Sequence, residues 1–157
     1  IRAMGEVNAR PLIFPYSNPT SRAECTAQEA YEWTGGRVLF GSGTPMPPVE
    51  HKGRTIKPSQ GNNVYIFPAM GMAIFATGAR HVPQEAFLTA AKSLAEQVPE
   101  SYFEDGMLYP SRAEIRAVSL KVAGAVARTL DEMGINRHKA ADWDARIAEL
   151  AFVPEYR

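Results

Sequence analysis

From Gln60 to Ala79 the chain carries no charge, and the part from Phe67 onward is almost wholly apolar. A helix that is apolar on every side must be buried on every side, so Phe67 to Ala79 predicts a core helix rather than a surface one. The run is shorter than the ~20 residues a bilayer requires, which argues against a membrane span. Gln60-Gly61-Asn62-Asn63 precedes it. A helix N-terminus has unpaired backbone N–H groups and the positive end of the helix dipole, so it suits a carboxylate or phosphate. Asn62 and Asn63 are placed either to contact such a ligand or to cap the helix and the loop before it. Pro68 is tolerated in a first helical turn.

Upstream, the apolar run Pro11 to Tyr16 reads as a buried strand ending at Asn18, although Pro15 cannot donate to a ladder. Ser17-Asn18-Pro19-Thr20 stops regular structure. Thr26 and Glu29 form a capping box ahead of Ala30, Tyr31 and Trp33, and Gly35-Gly36 ends that helix. Arg37 to Phe40 then reads as a second strand. Strand, helix and strand within about thirty residues make a βαβ unit, hence a parallel sheet. Gly41-Ser42-Gly43 falls short of the dinucleotide fingerprint, because position 46 is Met and Pro45, Pro47 and Pro48 follow. From Thr44 to Ser59, prolines and mixed charges describe a solvated excursion with a small hairpin at His51-Lys52-Gly53-Arg54.

After Arg80 the pattern becomes amphipathic and helical. Phe87, Ala91, Leu94 and Val98 fall on one face of a helix that starts at Pro83 and ends at Pro99. Tyr102, Phe103, Met107, Leu108 and Tyr109 form an aromatic connection across Gly106. A long helix follows from about Ser111 to Met133, with Ile115, Val118, Val122, Ala125 and Val126 on one face and Gly134 as its stop. A short helix from Ala141 to Ala151 puts Trp143, Ile147 and Leu150 inward and Asp142, Asp144 and Glu149 toward water.

The 157 residues suffice for a domain with a sizeable core, at 45% hydrophobic and 22% charged. Seventeen acidic side chains balance seventeen basic ones. With no cationic cluster, nucleic acid and acidic membranes have little support as partners. A single cysteine, Cys25, reads as a buried thiol and fits a reducing compartment, the cytoplasm or an organellar matrix. His51, His81 and His138 lack acids or cysteines at metal-ligand spacing. Ser17, Ser42 and Ser59 lack a nucleophile elbow or a partner base, and Glu104-Asp105 reads as exposed. The chain begins at Ile1 and shows no signal peptide, as expected of a piece of a longer protein.

In a parallel sheet the ligand site lies at the carboxyl ends of the strands, which puts Asn18, Ser42 and the Asn62-Asn63 loop on one rim. Carboxamides donate and accept hydrogen bonds but do not titrate. Such a set holds a carboxylate, a hydroxyl or an amide, and moves no proton.

Ser17-Asn18-Pro19-Thr20 with Ala23-Glu24-Cys25-Thr26, then Phe40 to Pro45, then Gln60-Gly61-Asn62-Asn63 running into Tyr65-Ile66-Phe67-Pro68, and finally Leu108-Tyr109-Pro110 resemble successive blocks of the malic enzymes. The resemblance extends from about Pro11 to Tyr156 and is to the C-terminal part of that family's nucleotide-binding domain. It implies an α/β chain of one partial domain, residues 1–157: the C-terminal portion of a doubly wound, Rossmann-like parallel sheet to about residue 80, then a helical section. It also implies oxidative decarboxylation of L-malate to pyruvate and CO2 with reduction of NAD or NADP, assisted by divalent Mg or Mn. Asn18, Asn62 and Asn63 carry over as contacts to malate, and Ser17 and Asn18 as contacts to the nicotinamide end of the cofactor. The catalytic tyrosine and lysine, the metal-binding acids and the glycine fingerprint belong to upstream segments, so no catalytic or metal residue is expected here. The implied partners are the remainder of the subunit and further copies in a dimer or tetramer. Ser59 in place of a common glycine and Ser111-Arg112 after Pro110 are the departures from the family pattern. A stand-alone nucleotide-binding or interaction module without activity is the alternative.

Overall fold

A computed structural model describes residues 1–153; the last residues of the stretch running to Tyr156 lie outside them. The chain packs as two compact units. The first holds Ile1–Asn62 and Val98–Tyr109; the second holds Asn63–Gln97 and the residues from Pro110 onward.

The first unit opens with α1 (Arg2–Val7) and β1 (Leu12–Ile13), followed after a loop by α2 (Ala27–Trp33) and β2 (Leu39–Ser42). β1 and β2 pair in parallel, Leu12 with Leu39 and Ile13 with Phe40, so the expected βαβ unit is present. Only two residues of β1 are regular strand, yet its pairing extends on both sides. Leu39 N donates to Pro11 O at 2.9 Å and Gly43 N donates to Pro15 O at 3.0 Å. Pro15 therefore takes part as an acceptor, the role left to a residue without an N–H.

The capping box forms as predicted, with the Thr26 side chain accepting from Glu29 N and the Glu29 carboxylate accepting from Thr26 N. At the other end Gly35 and Gly36 adopt φ of 63° and 83°. Gly36 N reaches back to Tyr31 O at 2.7 Å and Gly35 N to Glu32 O at 3.2 Å, which closes the last carbonyls of α2.

After β2 the chain makes an antiparallel hairpin of β3 (Val49–His51) and β4 (Arg54–Ile56). It then returns as β5 (Ser59–Gln60), parallel to β2 in the sheet order β1-β2-β5. The sequence pattern did not indicate β5, because two polar residues give no strand signal. Ile13, Cys25, Ala27, Ala30, Tyr31, Val38, Phe40 and Val49 form the core. α5 (Glu100–Glu104) and the segment after it join this unit through Lys57 N to Asp105 O at 2.9 Å and Arg54 Nη2 to Glu104 O at 2.8 Å. Leu108 N adds a bond to the Ser59 hydroxyl.

The second unit is helical: α3 (Phe67–Thr77), α4 (Gln84–Ala95), α6 (Ile115–Glu132) and α7 (Trp143–Leu150). α6 packs against the other three, burying Val118, Val122, Val126, Ala127 and Leu130. α4 presents Ala86, Ala90 and Leu94 inward, one residue round from the predicted face, and Phe87 is exposed. α7 is capped by Asp142, whose carboxylate accepts from Asp144 N and Ala145 N, while Asp144 pairs with Arg128 at 2.7 Å. Its acids therefore do more than face water.

α3 departs most from expectation. Ala69, Met70, Ala73 and Ala76 are buried, but Phe67 is 76% and Phe75 68% exposed, so the helix is covered on one side only. No helix among the described residues is long and apolar enough to cross a membrane.

Candidate functional site

Three segments leave the carboxyl edge of the parallel sheet side by side, because their first backbone bonds continue the ladder. Gly43, just past β2, is bonded to Pro15 O, and Gly61, just past β5, donates to Ser42 O at 2.9 Å. Asn18 follows β1 and Asn62 follows β5, so both belong to this edge of one packed unit. Asn18 is exposed, and its Nδ2 makes a long 3.4 Å contact with Tyr16 O. Its Oδ1 accepts no hydrogen bond among the described residues, and the Asn18–Pro19 peptide is cis. Asn62 is also exposed. Asn63 opens a 3-10 turn in the second unit, its carbonyl accepting from Ile66 N at 3.0 Å. The cap position of α3 is Ile66, which makes no side-chain cap bond.

A layer of aromatic rings underlies the edge. Phe14 and Tyr16, two residues apart on an extended segment, stack with centroids 5.7 Å apart and planes inclined by 10°. The Tyr16 hydroxyl meets that of Tyr109 at 2.6 Å. Tyr16 also sets what the neighbouring turns can carry. A Cβ at Gly61 would stand 2.5 Å from the Tyr16 hydroxyl, and one at Gly43 would strike the Tyr16 backbone carbonyl. The turn at Gly43 requires glycine because it meets backbone, whereas at Gly61 the Tyr16 ring would have to move aside.

Ser17 is committed within its own loop. Its hydroxyl donates to Glu24 Oε1 at 2.5 Å and its N–H reaches Glu24 Oε2 at 3.4 Å. The Ser17 hydroxyl bond, followed by backbone bonds, holds the Glu24 carboxyl below the usual carboxylate range. Glu24 thus closes the Ser17 to Glu24 loop and fixes the backbone from which Asn18 projects. Sequence reasoning did not assign Glu24 or Tyr16 a place at the site. The alternation of Phe14 and Tyr16 was the available signal for the ring layer.

No activated nucleophile emerges among the described residues. Ser42 is fully buried and donates to Thr44 O at 2.8 Å, with a longer contact to Ser59 O. Burial, then the nearby Glu29 and Glu24, push the Cys25 thiol up, against thiolate formation. Asp105 pairs with Lys57 at 3.6 Å, and the Glu104 carbonyl is occupied by Arg54. Among the described residues no three His, Cys, Asp or Glu side chains group as a metal ion would require. Apart from the Glu24 carboxylate that Ser17 holds, the asparagines and serines of the edge are uncharged donors and acceptors, suited to binding.

A parallel sheet connected through helices defines an α/β class of protein. A family model described as "Malic enzyme, NAD binding domain" matches residues 1–131, and the chain belongs to the malic enzyme family. The NADP-dependent malic enzyme of Vitis vinifera is 47% identical over 135 residues, 86% of this chain and 23% of that protein. NADP-dependent malic enzyme 3 of Arabidopsis thaliana is 42% identical over 159 residues, covering 100% of this chain and 27% of its own. The crystal structure of malic enzyme from Pyrococcus horikoshii Ot3 aligns with a TM-score of 0.67 at 23% identity, over 93% of this chain and 30% of that one. The chain spans about a quarter of the length of the curated relatives it matches. Its fold is that of the C-terminal portion of a doubly wound, Rossmann-like sheet, followed by helices.

Proposed function

We propose that this chain is the C-terminal part of the nucleotide-binding domain of a malic enzyme that oxidises L-malate with NAD or NADP and releases CO2 to give pyruvate. The observation that carries the reading is the convergence of the family match with the position of Asn18 and Asn62 at one carboxyl edge. In this reading Asn62 and Asn63 bind malate, while Asn18 with the loop held by Ser17 binds malate and the nicotinamide end of the cofactor. The donor set fits those groups. A carboxamide donates to a carboxylate and exchanges paired bonds with an amide, and the free Oδ1 of Asn18 is an acceptor for the latter. NAD or NADP supplies the hydride acceptor.

The described residues do not fit a divalent metal, which needs several oxygen ligands of high charge. Mg or Mn is therefore assigned to parts of the subunit outside this chain, and no step here is routed through it. The residues present orient the substrate and cofactor, and the proton-moving groups are likewise assigned elsewhere. The chain is one partial domain of a subunit that assembles as a dimer or tetramer in the cytoplasm or an organellar matrix.

The test is malate-dependent NAD(P)H formation by the full-length protein that contains this chain. A hydrogen bond to a charged carboxylate is worth about 1.5–3 kcal/mol. Replacing the contacting asparagine, in Asn62→Ala or Asn63→Ala, should lower kcat/KM about ten- to a hundredfold with the melting temperature unchanged. Unchanged kcat/KM in both variants would remove the pair from the substrate site. No malate-dependent reduction at all would leave a nucleotide-binding or interaction module.

A further inference from the structure

At the amino edge of the same sheet, opposite the asparagines, the first unit has a cleft of about 740 Å³. Its walls come from the residues just before β1, the residues that lead into β2, the hairpin turn and the end of α5. Arg10, Arg37, Lys52 and Arg54 line it, and Glu104 is the single acidic lining residue. None of the four cations has a carboxylate within ion-pair distance among the described residues. Arg37 is fixed in place by carbonyls alone: Nε to Thr34 O at 3.0 Å, Nη1 to Asn8 O and Ala9 O at 2.9 and 2.8 Å, and Nη2 to Gly5 O at 2.6 Å. These bonds orient the guanidinium, and no carboxylate pairs with it among the described residues. Arg54 donates to Glu104 O and Lys52 Nζ rests 3.5 Å from Gly35 O. His51 also lines the cleft, with the edge of its ring packed on the Gly36 backbone.

A cleft walled by one sign of charge concentrates counter-charge within it. Arginine forks pair best with phosphate or carboxylate oxygens. Four cations against one acid leave a formal charge of +3, more than a dicarboxylate balances, whereas two phosphate groups together carry about −3 to −4 at pH 7. We propose that this amino-edge cleft binds a compact small molecule bearing at least two phosphate groups, with Arg10, Lys52 and Arg54 on its phosphate oxygens and Arg37 as a fixed background charge. The site is separate from the carboxyl edge and does not depend on the catalytic reading.

Titration calorimetry of the 157-residue chain with pyrophosphate at low ionic strength tests the proposal, with succinate as the carboxylate control. Lys52 sits at φ 50° and Gly53 at φ 74° in the two-residue turn, so Lys52→Asn creates the Asn-Gly pair that such turns favour while it removes a charge. One saturable pyrophosphate site is expected, with succinate at least tenfold weaker. Arg10→Gln with Lys52→Asn should weaken pyrophosphate at least tenfold at an unchanged circular dichroism spectrum, while Asn18→Ala binds as the unaltered chain does. Four results would overturn the proposal: no saturable binding, equal affinity in the double variant, succinate as tight as pyrophosphate, or loss of binding in Asn18→Ala, which would move the anion to the carboxyl edge.

Discussion

The hydroxyls of Tyr16 and Tyr109 lie 2.6 Å apart although 93 residues separate them in the chain. The bond ties the loop that carries Asn18 to the segment that follows α5. Beside it a side chain at Gly43 would strike the Tyr16 backbone. Removing either hydroxyl should cost roughly 0.5–1.5 kcal/mol, at the lower end because Tyr16 is 45% exposed. Because one bond is shared, Tyr16→Phe with Tyr109→Phe should cost less than the sum of the two single changes. Urea midpoints of the three variants measure this, and strict additivity would show that the pair does not act as a unit.

The isolated chain should not turn over malate. Its carboxyl edge offers carboxamides, which do not titrate, the Glu24 carboxylate there is held by Ser17, and the described residues hold no acidic metal cluster. Incubation of the purified 157 residues with malate, manganese and NAD or NADP should give no reduced cofactor above a protein-free blank. Measurable turnover would contradict the assignment of proton transfer to parts of the subunit outside this chain.

Phe67, Gly71 and Phe75 are spaced at i, i+4 and i+8 and form an exposed apolar stripe along α3. Burying one such aromatic side chain is worth about 1.5–3 kcal/mol, so the stripe favours association with whatever apolar surface it meets. Sedimentation velocity should show concentration-dependent self-association of the chain. Phe67→Gln with Phe75→Gln should shift the midpoint at least tenfold toward monomer with little change in melting. A wild-type monomer at all concentrations would contradict this.

Asp131 joins the end of α6 to the loop before α7. It accepts from Lys139 Nζ at 2.6 Å, Trp143 Nε1 at 2.9 Å and Asn136 Nδ2 at 2.7 Å. The Lys139 bond, then the Trp143 bond, hold its carboxyl below the usual aspartate range. The folded state therefore binds fewer protons than the unfolded state through that range. The contribution is complete above the ordinary aspartate value of about 3.9 and is lost as pH falls through the lower folded value. Urea unfolding followed against pH should lose stability on acidification, and Asp131→Asn should lack part of that slope. An identical slope in the variant would remove Asp131 from the acid response.

The local sequence determined the elements whose causes are local. The Thr26–Glu29 capping box and the Gly35-Gly36 stop fixed α2 within a few residues, because both depend on neighbouring backbone groups. The strands flanking α2 and the hairpin at Lys52-Gly53 were legible for the same reason, and so was the order of family blocks that led to the malic enzymes. Tertiary structure decided the rest. Ser59 and Gln60 became a strand only because β2 offered them a ladder, and Pro15 kept its place because only its carbonyl was needed there. The inward face of α4 shifted by one residue since the alanines at 86 and 90 allow closer packing than Phe87. The uncharged run through α3 gave its hydrophobicity but not its cover, so Phe67 and Phe75 stand in the open. At the candidate site the sequence named Asn18 and Asn62. The aromatic layer, the Ser17–Glu24 bond and the tight glycines beneath them were not legible, because they are contacts across the chain, and a one-dimensional pattern records neighbours along the backbone but not approach through space.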